Sequence, residues 1–337
     1  MSTSTPDTLH PTPASAIPDR GHLLTEQRLP ASAALDALNV EQILTVINEQ
    51  DSALPSVVRL AIPRLTKVVE AVVRAMRKGG RLIYLGAGTS GRLGVLDASE
   101  CPPTFHTQPD QVVGIIAGGD TALRKSSEGK EDELDGAREE LLRLNVGGGD
   151  VVIGIAAGGT TPYVLGGIRI AKQLGAATSM ICCVTQEQIS QGGPRSDITP
   201  PPPSHDLLQT LAAIDHLISL PVGAEVITGS TRMKAGTATK LVLNMISTTV
   251  MVQLGKVWGN LMIDLRATNA KLRDRAARII APQCDLTRDE SLALLDAADG
   301  RVKLALVMGK RRLSREAAEA LLEEHHQQLR PIIGDPK

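Results

Sequence analysis

RLIYLGAGTSG (81–91) runs an unbroken apolar stretch into a glycine-rich loop, and the same apolar-run pattern returns three more times along the chain. The returns are QVVGIIAGG (111–119), DVVIGIAAGG (150–159) and ATSMICCV (177–184). Each run is continuously apolar rather than alternating, which marks a strand covered on both faces and therefore a parallel sheet. Helices are expected between them near 92–99, 121–143 and 162–174, with Pro102-Pro103 ending the first just after Glu100. Strands alternating with helices predict an α/β fold, a doubly wound parallel sheet. HLISLP (216–221) reads as one more strand.

Working outward, residues 1–24 are rich in Pro, Ser and Thr and read as a flexible tail. Asn39 is placed to cap a helix over 40–48, and a longer helix is expected from Pro55 to Lys78, kinked at Pro63 and ended by Gly79-Gly80. The proline run Pro200–Pro203 makes 186–212 an exposed insertion. A long helix follows from Met233 to about Leu254. From 269 to 337 four short helical segments have the spacing of a small bundle, so the sheet domain is expected over 25–268 and a helical subdomain after it.

Composition narrows the function. Of 337 residues 42% are apolar but only 1% aromatic, so the core is aliphatic and base-stacking platforms for nucleic acid are missing. Lys plus Arg (36) balances Asp plus Glu (37), leaving no field to draw DNA or an anionic membrane. No apolar run of about 18 residues predicts a membrane span, and the N-terminus lacks a signal-peptide core. Cys101, Cys182, Cys183 and Cys284 form no CxxC pair and read as reduced, buried thiols of a cytoplasmic protein, with no metal site.

Four motifs carry the chemistry. Gly86 to Gly91 matches the dinucleotide pattern G-x-G-x-x-G, but the acid such a site needs is displaced: Asp120 lies 34 residues beyond Gly86, not about 20. Gly88 with the hydroxyls of Thr89 and Ser90 suits a compact monophosphate at a helix N-terminus instead. The second loop, Gly158-Gly159-Thr160-Thr161-Pro162, repeats the arrangement after another strand, and two such loops flank one crevice in this architecture. The carboxylates of Glu100, and of Glu128 and Glu131 in the segment EGKED, are candidates for acid–base work, although Glu128 and Glu131 read equally as a solvated helix start. AEVITGSTRMKAGTATK (224–240) offers Ser230, Arg232 and Lys234 to a phosphate, or caps an ordinary helix.

LIYLGAGTSGRLGVLDASECPPTF (82–105), AGGDTALRKSSEGKEDE (117–133) and GAEVITGSTRMKAGTATKLVLNM (223–245) closely resemble the N-acetylmuramic acid 6-phosphate etherases, as do TEQRLPAS (25–32) and VWGNLMIDLRATNAKL (257–272). The resemblance implies the sugar isomerase (SIS) fold and cleavage of a D-lactyl ether, giving N-acetylglucosamine 6-phosphate and D-lactate without metal or redox cofactor. It implies a homodimer with its site near the subunit interface. Matched position by position, it puts a catalytic acid at Glu100, a second catalytic glutamate at Glu131 and the phosphate loop at Thr89 and Ser90. This chain departs from the family pattern in having Gly158 and Thr160 where a serine and an arginine are usual, and Leu29 for asparagine. The competing readings are a sugar-phosphate-binding regulator resembling glucokinase regulatory protein and an aldose–ketose isomerase. Glu100, within DASECPP, favours the enzyme.

Overall fold

Five of the apolar runs become strands: β1 (Leu82–Gly86), β2 (Val112–Ile116), β3 (Val151–Ile155), β4 (Ala177–Cys182) and β5 (His216–Ser219). A computed structural model describes residues 20–125, 128–191, 210–267 and 269–337. The strands pair in parallel in the order β2-β1-β3-β4-β5, with Tyr84 between Gly114 and Ile153. Chain order reverses between β1 and β3, and a crevice for ligands opens beyond the carboxyl ends of strands at such a reversal.

Both faces are covered, as the continuous apolar runs require. Tyr84, Ile153, Ile181 and Cys183 pack beneath α1's neighbour α2 (Leu54–Met76), with α1 itself spanning Val40–Asp51, and beneath α3 (Gly88–Phe105). Ile83, Leu85, Val152 and Cys182 face the opposite layer, where α4 (Arg138–Arg143) and α5 (Pro162–Gln173) lie. The adjacent Cys182 and Cys183 thus enter different cores, and burial pushes the thiols of Cys101 and Cys182 up to about 12. Such thiols are inert. Asn39 caps α1 through a reciprocal bond with Gln42, and α2 continues through Pro63.

The helix expected over 121–143 does not form. Two 3-10 turns (Gly119–Leu123 and Glu128–Lys130) and the short α4 replace it. The cause is contact with α5: a Cβ at Gly166 would stand 1.6 Å from the Leu134 carbonyl oxygen, so the 131–136 backbone lies flat against that helix. The first crossover helix runs longer than expected, because α3 carries Pro102 and Pro103 in its last turn, where only the carbonyls of Ala98 and Ser99 lose partners; it ends at His106 in a left-handed turn.

After β4 come α6 (Gln186–Gln191) and, beyond β5, α7 (Lys234–Gln253). Residues 192–209, with the proline run of the expected insertion, lie outside the described residues. A hairpin, β6 (Val257–Trp258) and β7 (Leu261–Met262), leads to α8 (Ala270–Cys284), α9 (Arg288–Ala297), α10 (Val302–Arg311), α11 (Arg315–Glu324) and α12 (Arg330–Ile333). Trp258, Ile263 and Leu265 belong to the core of these helices, so the helical unit begins earlier than 269. The Trp258 indole N–H donates to the Gly334 carbonyl at 2.8 Å. At the other end Leu23 is buried at 1% exposure, which moves the start of the packed chain ahead of residue 25.

Candidate active site

The loop after β1 turns directly into α3. Ala87 is extended and Gly88 has φ +51°, and no side chain caps the first turn of the helix. The first amides of an α-helix have no partner within it, so this turn carries N–H groups without a partner among the described residues, at the positive end of the helix dipole. Thr89 and Ser90 are half-buried there. The second loop has the same character: Gly159 takes φ +72°, α5 begins at Pro162, and Thr161 makes no capping bond. Thr160 and Thr161 are half-buried.

Glu131 joins the two loops. Its carbonyl accepts the Tyr163 amide at 3.0 Å, which fixes it to the first turn of α5. Its carboxylate reaches the other way: Oε1 is 3.0 Å from where a Cβ on Gly88 would stand. A carboxylate is therefore held over the loop that presents the open amides. Glu128 lies three residues earlier in a 3-10 turn, so the two do not share a helical face.

The fourth motif divides. Gly236 on α7 lies against the loop, a Cβ there meeting the Thr89 methyl at 3.5 Å. The start of α7 is nevertheless already occupied, because Glu225 accepts the amides of Lys234 and Ala235 at 2.9 Å each. Burial pushes the Glu225 carboxyl up, against the pull of those amides and of Lys234. Lys234 is buried, its Nζ 3.4 Å from Gln50 Oε1, and burial lowers its ammonium despite Glu225 and Asp51. Its charge is turned toward the end of α1. Ser230 is half-buried and Arg232 exposed beside it.

Glu100 stands apart. It is exposed on α3, 12 residues after Gly88 and so about 18 Å along the helix axis at 1.5 Å per residue. α3 runs back along the sheet from the crevice, so Glu100 lies toward the opposite edge, in a groove of about 340 Å³ shared with Lys240, Asn244 and Thr248 of α7.

A family model for the glucokinase regulatory protein N-terminal SIS domain matches residues 64–172. N-acetylmuramic acid 6-phosphate etherase from Prochlorococcus marinus is 49% identical over 316 residues, covering 94% of this chain and 93% of that protein. The one from Staphylococcus aureus is 46% identical, covering 92% and 97%. The chain belongs to the N-acetylmuramic acid 6-phosphate etherase family. Among solved structures, the phosphoheptose isomerase of Neisseria gonorrhoeae is 14% identical with a TM-score of 0.42, covering 62% of this chain and 97% of its own.

Within this etherase the structure holds Glu131 over Gly88, with Thr89 and Ser90 following in the first turn of α3, and against the first turn of α5, which Thr160 and Thr161 precede; Glu100 stands at a distance in the same chain. Sequence reasoning missed the N-terminal segment. Thr25 is fully buried, its carbonyl accepts the Gly229 amide at 3.2 Å, and its hydroxyl oxygen lies 3.8 Å from a Cβ built at Gly158. TEQRLPAS thus lies over the second loop, and only the family resemblance pointed to it. Lys240, Asn244 and Thr248, one helical turn apart each, were also missed, although that spacing puts them on one face. Among the described residues no group of His, Cys, Asp and Glu is arranged to hold a metal, and no helix is long and apolar enough to cross a membrane.

Proposed function

We propose that this etherase works as a homodimer in the cytoplasm on N-acetylmuramic acid 6-phosphate, a small sugar phosphate rather than a nucleic acid, and that each site is built from both subunits. The observation that carries the reading is the Glu131 carboxylate poised over Gly88, a base beside a phosphate cradle. The 6-phosphate sits on the amides of Gly88, Thr89 and Ser90, with Thr160 and Thr161 of the second loop and Ser230 and Arg232 nearby. In the ring-opened sugar the C1 aldehyde acidifies the C2 proton, which Glu131 removes. The C2–H electron pair forms the C2=C3 bond as the C3–O bond breaks, and the departing oxygen takes a proton from Glu100. Water then adds its hydroxyl to C3, its proton passing to the Glu100 carboxylate, while C2 regains a proton from Glu131, giving N-acetylglucosamine 6-phosphate and D-lactate with both glutamates restored.

The acid and the base must flank one substrate, yet about 18 Å of helix separates Glu100 from its own phosphate loop. The partner subunit's Glu100 closes the gap. Leu96, one turn before Glu100, is 45% exposed, an apolar contact on the face that a second copy would cover. The buried thiols fit a reducing compartment.

The test is D-lactate release from N-acetylmuramic acid 6-phosphate by Glu100→Gln, Glu131→Gln and an equimolar mixture refolded together. Each variant alone should lose about 10²–10⁴-fold. Mixed dimers place one intact Glu131 opposite one intact Glu100, so the mixture should recover about a quarter of wild-type activity. A mixture as inactive as its components would put both carboxylates to work within one chain.

A further inference from the structure

Any group that protonates the ether oxygen of the substrate stands next to the lactyl unit, because that oxygen is bonded to the carbon bearing both the lactyl carboxylate and its methyl. The carboxylate therefore comes within a few ångströms of the catalytic acid. Two carboxyl groups so close need a cation or strong donors beside them, or the anion is driven out. This requirement applies wherever the acid lies, and it rests on the etherase reading above.

The surroundings of Glu100 meet it. Its groove has two walls, α3 and α7. The α7 wall carries Lys240, Asn244 and Thr248 at successive turns, all exposed. Lys240 makes no ion pair among the described residues. Asp97, on the floor of the same groove, is buried and accepts the hydroxyls of Tyr84 at 3.0 Å and Ser247 at 3.1 Å; burial pushes its carboxyl up, while those hydroxyls and the charge of Lys240 favour its carboxylate form. Lys240 itself stays exposed on the groove wall, so its ammonium also faces whatever enters the groove. On the α3 wall, Leu93 and the exposed Leu96 lie one to two turns before Glu100 and give the groove an apolar side.

We infer that this groove is the lactyl pocket, with Lys240 holding the substrate carboxylate, Asn244 donating a second hydrogen bond to it, and Leu96 meeting the methyl. Glu100 takes the third direction, the ether oxygen. Three different contacts around one stereocentre distinguish the D-lactyl group from its mirror image, and two of them, to the carboxylate and the methyl, have no counterpart in N-acetylglucosamine 6-phosphate. The groove is then the specificity element of the enzyme, while the phosphate loops bind what substrate and product share.

Lys240→Met and Lys240→Arg separate this assignment from the reading it rests on. Two reactions are followed: lactate release from N-acetylmuramic acid 6-phosphate, and exchange of the C2 hydrogen of N-acetylglucosamine 6-phosphate in D₂O, which needs the loops and Glu131 but no lactyl group. Loss of a charged hydrogen bond should lower kcat/KM for lactate release by about 10- to 100-fold in Lys240→Met, chiefly through KM, with C2 exchange unchanged. Lys240→Arg should regain most of it, and wild-type lactate release should be inhibited more strongly by D-lactate than by L-lactate. Equal damage to both reactions, or lactate release untouched by Lys240→Met, would overturn the pocket while leaving the etherase intact. A wild-type chain that exchanges C2 but releases no lactate would overturn both.

Discussion

Gly88 is the position where backbone conformation and the proposed catalysis meet most closely. Alanine there carries two separable consequences. The first is conformational: φ +51° is a left-handed geometry that costs a non-glycine residue about 1–2 kcal/mol. The second is steric and local, since the new Cβ would stand 3.0 Å from Glu131 Oε1, which must retreat by a few tenths of an ångström. A misplacement of about 1 Å can cost about 10²-fold in rate, so a retreat a third to a half as large should lower kcat by about 3- to 10-fold. Gly119→Ala provides the comparison, because Gly119 has φ +64° and nothing within 4 Å of its built Cβ. Thermal melts should show similar destabilisation of both variants. Lactate release and C2 exchange should fall together only in Gly88→Ala, with little change in KM because the loop amides remain. Equal kcat in the two variants, or a defect confined to KM, would refute the placement of Glu131 as the base above the loop.

Ser90→Ala should raise KM about tenfold with kcat largely kept, since a phosphate contact made equally in ground and transition states acts on binding alone; equal damage toward an analogue lacking the 6-phosphate would mark the loop as structural. Gly158→Ser should fold normally, because a Cβ there comes no closer than 3.4 Å to Leu23. Its hydroxyl, which the family pattern usually supplies, should lower KM by about 2- to 10-fold, measured as the substrate dependence of lactate release. Asp150, at the foot of the sheet, is pushed up by burial but held below the usual carboxylate range by Arg81, at 2.8 Å, and by the Gly147 amide at 3.1 Å. A depressed folded-state pKa contributes stability above the unfolded value that disappears as pH falls through the folded one. Asp150→Asn should therefore lose about 3 kcal/mol in urea unfolding at neutral pH, with the gap to wild type closing below about pH 4.

The sheet was legible because burial on both faces leaves a plain trace: a strand that can afford no polar face has none, as in Leu82–Leu85 and Val151–Ile153. The segment after β2 was not, because its apolar and charged residues carry helical spacing while its conformation is set by a neighbour. Gly166 lets the Leu134 carbonyl press against α5, a contact 32 positions apart in the chain that no local pattern encodes. The result matters for the site. Glu131 owes its position to that run of turns and to the Tyr163 amide, and a helix over 121–143 would have turned it elsewhere.

The two glutamates differ in the same way. Glu131 reads as one of several solvated acids, and only its tertiary contacts lift it over the Gly88 loop. Glu100 reads as a residue beside the crevice, since the proline pair after it suggests that the helix stops there. In the structure the helix runs on to Phe105, and its direction along the sheet carries Glu100 away from the loop by about 1.5 Å with every residue. A stretch as short as TSGRLGVLDASE thus holds both the proposed phosphate cradle and the proposed acid, about 18 Å of helix apart. A rigid helix of that length fixes their separation whatever side chains surround them. Three neighbours of Glu100, by contrast, are exposed: a lysine, an asparagine and a leucine. The proposed homodimer would resolve both facts at once, since a second copy would bring a cradle to the acid and give the groove around Glu100 a substrate to grip.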